Sequence, residues 1–217
     1  MKKSTYTKKE KVTRDELIEF IKVSRADIRA NVLKSAKNAY KTRLDLRRIK
    51  LCGDDFNDID FSYTNLSKVN LKNKNFNGSN FKFAILENTK LIESDLARAN
   101  MQYAYMRCSF LELANLYKVN LISANLCKTK AASACFRYAI LSKAKLLEAD
   151  MSFSNLASTN LFFTDFTKAI LVRVNFRGAT YLETAIFKGA DLNEIKFDTD
   201  KYCLINNKFI LKRRSKK

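Results

Sequence analysis

Large apolar residues return every five positions along most of this chain. Steps of five from Leu51 to Phe176 land on 26 positions: fifteen Leu, seven Phe, three Met and, as the one exception, Ala131. Two residues before these positions stands Ala, Thr, Ser or Val in 22 of 26 cases, and the residue between is Asn or Asp in 16. The cleanest stretches read Ala99-Asn100-Met101, Ala114-Asn115-Leu116, Ala124-Asn125-Leu126 and Ala149-Asp150-Met151. A helix would bring apolar residues back at three and four, and a half-buried strand at two. A strict five calls for a unit that turns a corner once per repeat, with the large and the small residue both facing inward. The inner partner is small because several sides meet around a narrow axis. The Asn or Asp faces out near the corner, where a short polar side chain satisfies local backbone groups.

This Ala-Asn/Asp-Leu-x-x pattern resembles the pentapeptide-repeat proteins over about residues 46–200. The resemblance implies an all-β solenoid, a right-handed quadrilateral β-helix with four units, or twenty residues, per coil. About eight coils at a strand spacing of about 4.8 Å would make a rod roughly 37 Å long. Three departures interrupt the pattern. Lys74 occupies an inward small site, so its stem must reach out or its coil must distort. Ala131 leaves a large site underfilled. After Phe176 the pattern resumes one residue late, at Thr180-x-Leu182, which places a bulge beside Gly178.

A solenoid exposes its core at both ends and needs caps. Thr13 and Glu16 form a capping box ahead of Leu17, Ile18, Phe20 and Ile21, so a helix is expected from about residue 14. Residues 26–45 read two ways: Ala26-Asp27-Ile28 imitates a repeat, whereas Ala30 to Tyr40 suits a second helix. Tyr202 to Leu211, apolar on both sides of Asn206-Asn207, suits a hairpin or a short helix over the last coil. The chain thus divides into a basic, partly helical N-terminal cap (1–45), the β-helix (46–200), and a C-terminal cap with a basic tail (201–217).

Charge changes the picture at the ends. Of the net +19, +7 lies in residues 1–45 and +7 in residues 201–217, leaving only +5 on the array between. Histidine is absent, which removes the commonest general acid–base and metal ligand. The five cysteines (Cys52, Cys108, Cys127, Cys135, Cys203) form no C-x-x-C pair, so reduced thiols are expected rather than a zinc site or a disulfide framework. No Gly-rich phosphate loop or nucleophile motif occurs, so no catalytic, cofactor or metal residue, and no small-molecule substrate, is assigned. Asp54, Asp55, Asp58 and Asp60 are expected to pair with nearby Arg47 and Arg48. Neither a signal peptide nor a membrane span is visible, which favours a cytoplasmic protein, with signal-independent export as a further route.

A non-enzymatic scaffold that binds a protein partner is therefore the leading reading. Some members of the family it resembles mimic DNA and bind type II topoisomerases, and others are effectors exported into host cells. Mimicry needs a strongly negative rod, which this near-neutral array is not. The basic ends, with Lys212, Arg213, Arg214, Lys216 and Lys217, offer an alternative as contacts to nucleic acid or an anionic membrane. Residues twenty apart should stack on one side of the rod. The outward position two after each centre then carries Tyr63, Phe83, Tyr103 and Phe163, with Ser123 and Lys143 between. Ile122, Ile140 and Phe162 join them, and Tyr105 lies just around the corner. This strip is the candidate interface, for a homodimer or another protein, unless the chain's own ends cover it. The periodicity itself is testable: Leu116→Asp puts a charge on the axis and should abolish soluble expression or unfold the neighbouring coils, read by circular dichroism.

Overall fold

The structure, a computed structural model, describes residues 11–34 and 43–212. Its unit can be read from one repeat, Met101–Tyr105, whose five backbone N–H groups each find an acceptor. Met101 N–H donates to Asn120 O at 2.7 Å, Tyr103 N–H to Ile122 O at 3.0 Å, and Tyr105 N–H back to Ala84 O at 2.9 Å. Ala104 N–H closes a turn onto Met101 O at 3.1 Å. The fifth, Gln102 N–H, is taken by the Asn100 side-chain oxygen at 3.3 Å. Three of five donors thus bind neighbouring coils, one makes the corner, and one is met by the Asn or Asp of the repeat. That last bond explains the polar position. The same bond runs from Asn57 N–H to Asp55, Tyr117 N–H to Asn115 and Ile122 N–H to Asn120. Neighbouring Asn and Asp side chains also bond each other between coils, as Asn80 does to Asp60 at 2.9 Å and Asn115 to Asp95 at 2.9 Å.

Parallel bridges join residues twenty apart, from Asp55↔Asn75 to Asn160↔Thr180. With a turn every five residues and a partner every twenty, four turns make one coil, and the array is a repeat β-helix. The third residue of each turn has φ near +60°: each of the 24 residues five apart from 58 to 173 does so, and only Gly78 among them is a glycine. Left-handed backbone costs an L-residue about 1–2 kcal/mol, so the ladder bonds on either side must hold it there.

The 26 large positions are all buried, and Ala131 is fully so. Of their small partners only Asp54 and Lys74 escape burial. Most of the Ser and Thr members borrow a spare lone pair from a backbone carbonyl, as Thr64 Oγ1 donates to Phe61 O at 2.6 Å and Thr89 Oγ1 to Leu66 O at 2.9 Å, whereas the Ser109 and Ser154 hydroxyls find no partner among the described residues. Lys74 resolves its conflict by reaching the edge. Its ammonium bonds Gly53 O and lies 3.3 Å from Asp54 Oδ1 and 5.5 Å from the Phe56 ring centre.

The late repeat is accommodated further on than the sequence pattern places it. Asn160↔Thr180 keeps the twenty-residue register, whereas Asp165↔Ile186 is twenty-one. The extra residue therefore enters after Thr180, not beside Gly178. Tyr181, at φ 64°, leads into a 3-10 turn at Leu182–Thr184 that takes up the slack. Thr184 Oγ1 then accepts the Phe163 N–H at 3.1 Å.

At the N-terminal end, β1 (Lys11–Val12) pairs in parallel with β3 (Lys50–Leu51), and β2 (Leu44–Asp45) with β4 (Thr64–Asn65). Helix α1 spans Arg14–Lys34 and opens on the expected box: Thr13 N–H donates to Glu16 Oε2 at 2.8 Å. Its continuous run to Lys34 overturns the repeat-like reading of residues 26–28, because an unbroken helix leaves no corner there. Most of the second helix expected over 30–40 falls outside the described residues. Leu17 and Ile21 join the buried core. Arg14 donates to Asn57 O at 3.0 Å, and Arg25 donates to Asp60 O and Ser62 O, both at 3.0 Å, and to the Asp60 carboxylate. Burial pushes the Asp60 carboxyl up, but the bonds from Arg25 and Ser62 outweigh it and hold it below the usual range. The C-terminal end is a hairpin of β5 (Tyr202–Ile205) and β6 (Lys208–Leu211). Both of its turn residues, Asn206 and Asn207, have positive φ, as a tight two-residue hairpin requires. Its Phe209 ring packs 5.1 Å from Phe187 and 5.1 Å from Phe197.

The side-chain acceptor makes a direct test. Asn120→Ala strands the Ile122 N–H and should lower stability by about 1 kcal/mol in urea unfolding. Ile140→Asn offers the Ser142 N–H an acceptor where the repeat lacks one and should raise stability by about 0.5 kcal/mol. Equal stability of all three proteins would remove the acceptor role from the Asn/Asp position.

Candidate interaction surface

The turn geometry sets the expected strip on the outside of the rod. Residues at the third turn position lie outward of the core, and their counterparts twenty residues on sit one coil away. Tyr63, Phe83 and Tyr103 accordingly form a ladder of rings on three consecutive coils. Their centroids are 5.0 Å and 4.9 Å apart, and their planes differ by 22° and 7°. Tyr63 is 55% exposed and Tyr103 43%, while Phe83 between them is half-buried. The stack ends where Ser123 and Lys143 occupy the column.

A second cluster stands further along. Phe162 and Phe163 meet edge to face at 4.4 Å, and Phe162 meets Tyr181 at 5.4 Å. Phe163 is 53% exposed. Ile122, half-buried, and Ile140, exposed, lie between the two clusters. The aromatic residues therefore form two separate groups rather than one continuous stack. Tyr181 was not legible as a member, because the shifted register moves it out of the five-residue count. Exposed apolar side chains also stand on other sides, notably Leu113 and Phe153. Phe153 has the Arg173 guanidinium 5.6 Å from its ring centre.

The N-terminal segment borders this surface. Arg43 donates to Phe83 O and holds its guanidinium 5.5 Å from the Tyr105 ring centre. Arg25 reaches Ser62, one residue before Tyr63. Neither contact closes over Tyr63, Tyr103 or Phe163, which stay exposed among the described residues.

The charged candidates divide differently from expectation. Arg47 forms a two-pronged pair with Asp45, at 2.9 Å and 2.6 Å, and not with the acids at 54–60. That pair holds the Asp45 carboxyl below its ordinary range, chiefly through the hydrogen bond from Arg47. Asp45 lies two residues from Arg47 on the same corner, nearer than any acid of the next coil. Asp60 goes to Arg25 and Asp54 to Lys74, while Asp55 and Asp58 form no ion pair among the described residues. At the C terminus, Lys212 bonds Thr199 O at 2.6 Å, and Arg213, Arg214, Lys216 and Lys217 lie outside the described residues. All five cysteines are free thiols. No described helix is long and apolar enough to cross a membrane.

No curated protein sequence matches the chain. Among solved structures, a trypsin-treated variant of QnrB1, a plasmid-mediated fluoroquinolone resistance protein, is 19% identical. The match covers 73% of this chain and 85% of that one, with a TM-score of 0.37. HetL, a pentapeptide repeat protein involved in heterocyst differentiation regulation from the cyanobacterium Nostoc sp. strain PCC 7120, is 24% identical over 71% and 87%, with a TM-score of 0.23. Rfr23, a pentapeptide repeat protein from the cyanobacterium Cyanothece 51142, is 20% identical over 68% and 83%, with a TM-score of 0.24. The family signature of pentapeptide repeats matches in eight copies, over residues 55–91, 94–130 and 159–198. Those segments make up more than half of the chain, and the protein belongs to the pentapeptide-repeat family.

Proposed function

We propose that this protein is a non-enzymatic scaffold that binds another protein through the aromatic strip. One observation carries the reading: the outward rings of the strip occupy backbone that disfavours them. Tyr63, Phe83, Tyr103 and Phe163 have φ of 55°, 59°, 57° and 51°. Gly or Asn would sit there more comfortably than a bulky ring. Since these side chains neither fill the core nor relieve the turn, a partner is what would repay them. Aromatic anchors at exposed positions are what protein interfaces favour. Self-association into a homodimer is the simplest form, because any second copy carries the same strip.

The rest of the architecture fits that use. In this reading the coil winds right-handed with four flat sides over residues 46–200. The helix within 1–45 plugs its first coil with Leu17 and Ile21, and the hairpin of 201–217 plugs the last with Phe209 and Tyr202. The five free thiols support a reducing, cytoplasmic setting.

The triple variant Tyr103→Ser, Ile122→Ser and Phe163→Ser tests the strip by light scattering and thermal melting. A dimer that becomes a monomer with its melting temperature unchanged is the expected outcome. An unchanged mass with a large fall in melting temperature would show that the chain's own ends cover the strip, and would sink the proposal.

A further inference from the structure

At the corner where the first two coils begin, six cationic side chains line one cleft: Arg47, Arg48, Lys50, Lys68, Lys72 and Lys74. The cleft has a volume of about 510 Å³, its floor includes Ile49 and Val69, and no acidic residue lines it. That volume falls in the usual range for small-ligand sites. We propose that this cleft binds a compact, multiply phosphorylated small molecule.

Charge accounting comes first. Three of the six already have a carboxylate: Arg47 has Asp45 at 2.6 Å, Lys74 has Asp54 at 3.3 Å, and Lys72 has Glu93 at 3.6 Å. Among the described residues, Lys50 and Lys68 have none, and Arg48 forms no ion pair but lies in the field of Asp45, whose carboxylate Arg47 already holds. The twenty-residue register sets Arg48 one coil from Lys68, and the pairing of β1 with β3 sets Lys11 directly beside Lys50. Like charges directly opposite on neighbouring strands are destabilising. Here they stack without an ion-paired carboxylate of their own, which is the arrangement an external anion would relieve. Several charges must be met at once, so a single carboxylate would not suffice. Guanidinium and ammonium groups together suit phosphate oxygens, the first by its two-pronged fork and the second as a point charge.

The surroundings select a compact ligand over an extended one. Glu87 and Glu93 belong to the next coil up: Lys68 N–H donates to Glu87 O, and Glu93 takes Lys72. They bring negative charge into that coil, where Lys90 stands over Asn70, so the run of cations thins after two coils, whereas a nucleic-acid backbone needs a longer basic track. No aromatic ring lines the cleft, so no base-stacking platform is present there.

Inositol hexakisphosphate is the probe, titrated calorimetrically into the full chain at about 0.15 M salt, where distant surface charges are largely screened. Saturable one-to-one binding is expected. The double variant Arg48→Glu with Lys68→Glu should weaken it by about thirtyfold or more, with the melting temperature of the free protein not lowered. A control of equal charge change away from the cleft, Lys118→Glu with Lys130→Glu, should shift it by no more than about twofold. Ending the chain after Lys212 should leave it unaltered. Absence of saturable binding up to about 1 mM, the affinity floor of a specific site, would overturn the proposal. So would equal losses in the two double variants, since the affinity would then belong to diffuse net charge. Tighter binding to a duplex DNA of about two turns or to phosphatidylserine vesicles than to the probe would also overturn it, in favour of an extended polyanion surface.

Discussion

Everything in this molecule depends on how a five-residue unit disposes of its backbone donors. Three N–H groups per unit point along the axis to neighbouring coils, one closes the corner, and one is taken by a side-chain oxygen where the repeat carries Asn or Asp. Burying a backbone donor without a partner costs about as much as losing a hydrogen bond, so the unit is not free to change length or to flatten. Two further constraints follow. The third turn residue must adopt a left-handed conformation, and the residue pointing to the axis must be small or able to lend its hydroxyl to a carbonyl. Hydrophobic burial then fills the centre, but it acts within a frame that the donors have already specified.

The frame was legible because it leaves a mark at three of every five positions. Met101, Ala99 and Asn100 each announce a different role, and the repetition of that triplet made the period unmistakable. What could not be read was where the frame yields. Thr180 keeps the register and Ile186 loses it by one, yet the intervening residues show only an extra position, and Gly178 drew the bulge to itself because glycine so often marks one. The fate of Lys74 depended on the distance to Gly53 O and Asp54, which no linear spacing reveals. The helix carried a clear start at Thr13 but no stop signal, since the family-like triplet at residues 26–28 competed with helical periodicity. The partners of the acids were misplaced because coiling sets Lys74 beside Asp54 and the packed helix brings Arg25 to Asp60, neither of which linear spacing reveals.

Surface chemistry on such a frame is written in columns. A side chain meets its counterpart twenty residues on, so rings stack on rings and cations stack on cations. The ladder of Tyr63, Phe83 and Tyr103 and the unpaired run of Arg48 and Lys68 are two results of the same rule. One produces the apolar surface proposed as an interface. The other concentrates positive charge at a corner, away from the strip's exposed rings. Neither needs a loop or an inserted domain, only substitutions at outward positions that leave the core triplet untouched.

The segments packed on the two ends have a bearing on how long the folded state lasts. A coil inside the array is bonded on both sides, whereas a terminal coil can peel away after losing one. Loss of structure should thus begin as fraying from an end and advance coil by coil. The lifetime of the rod would then be governed by the seating of Leu17 and Ile21 at one extremity and of Tyr202 and Phe209 at the other, all buried. Lengthening the array would add little kinetic protection, because it multiplies interior coils and leaves the same two exits.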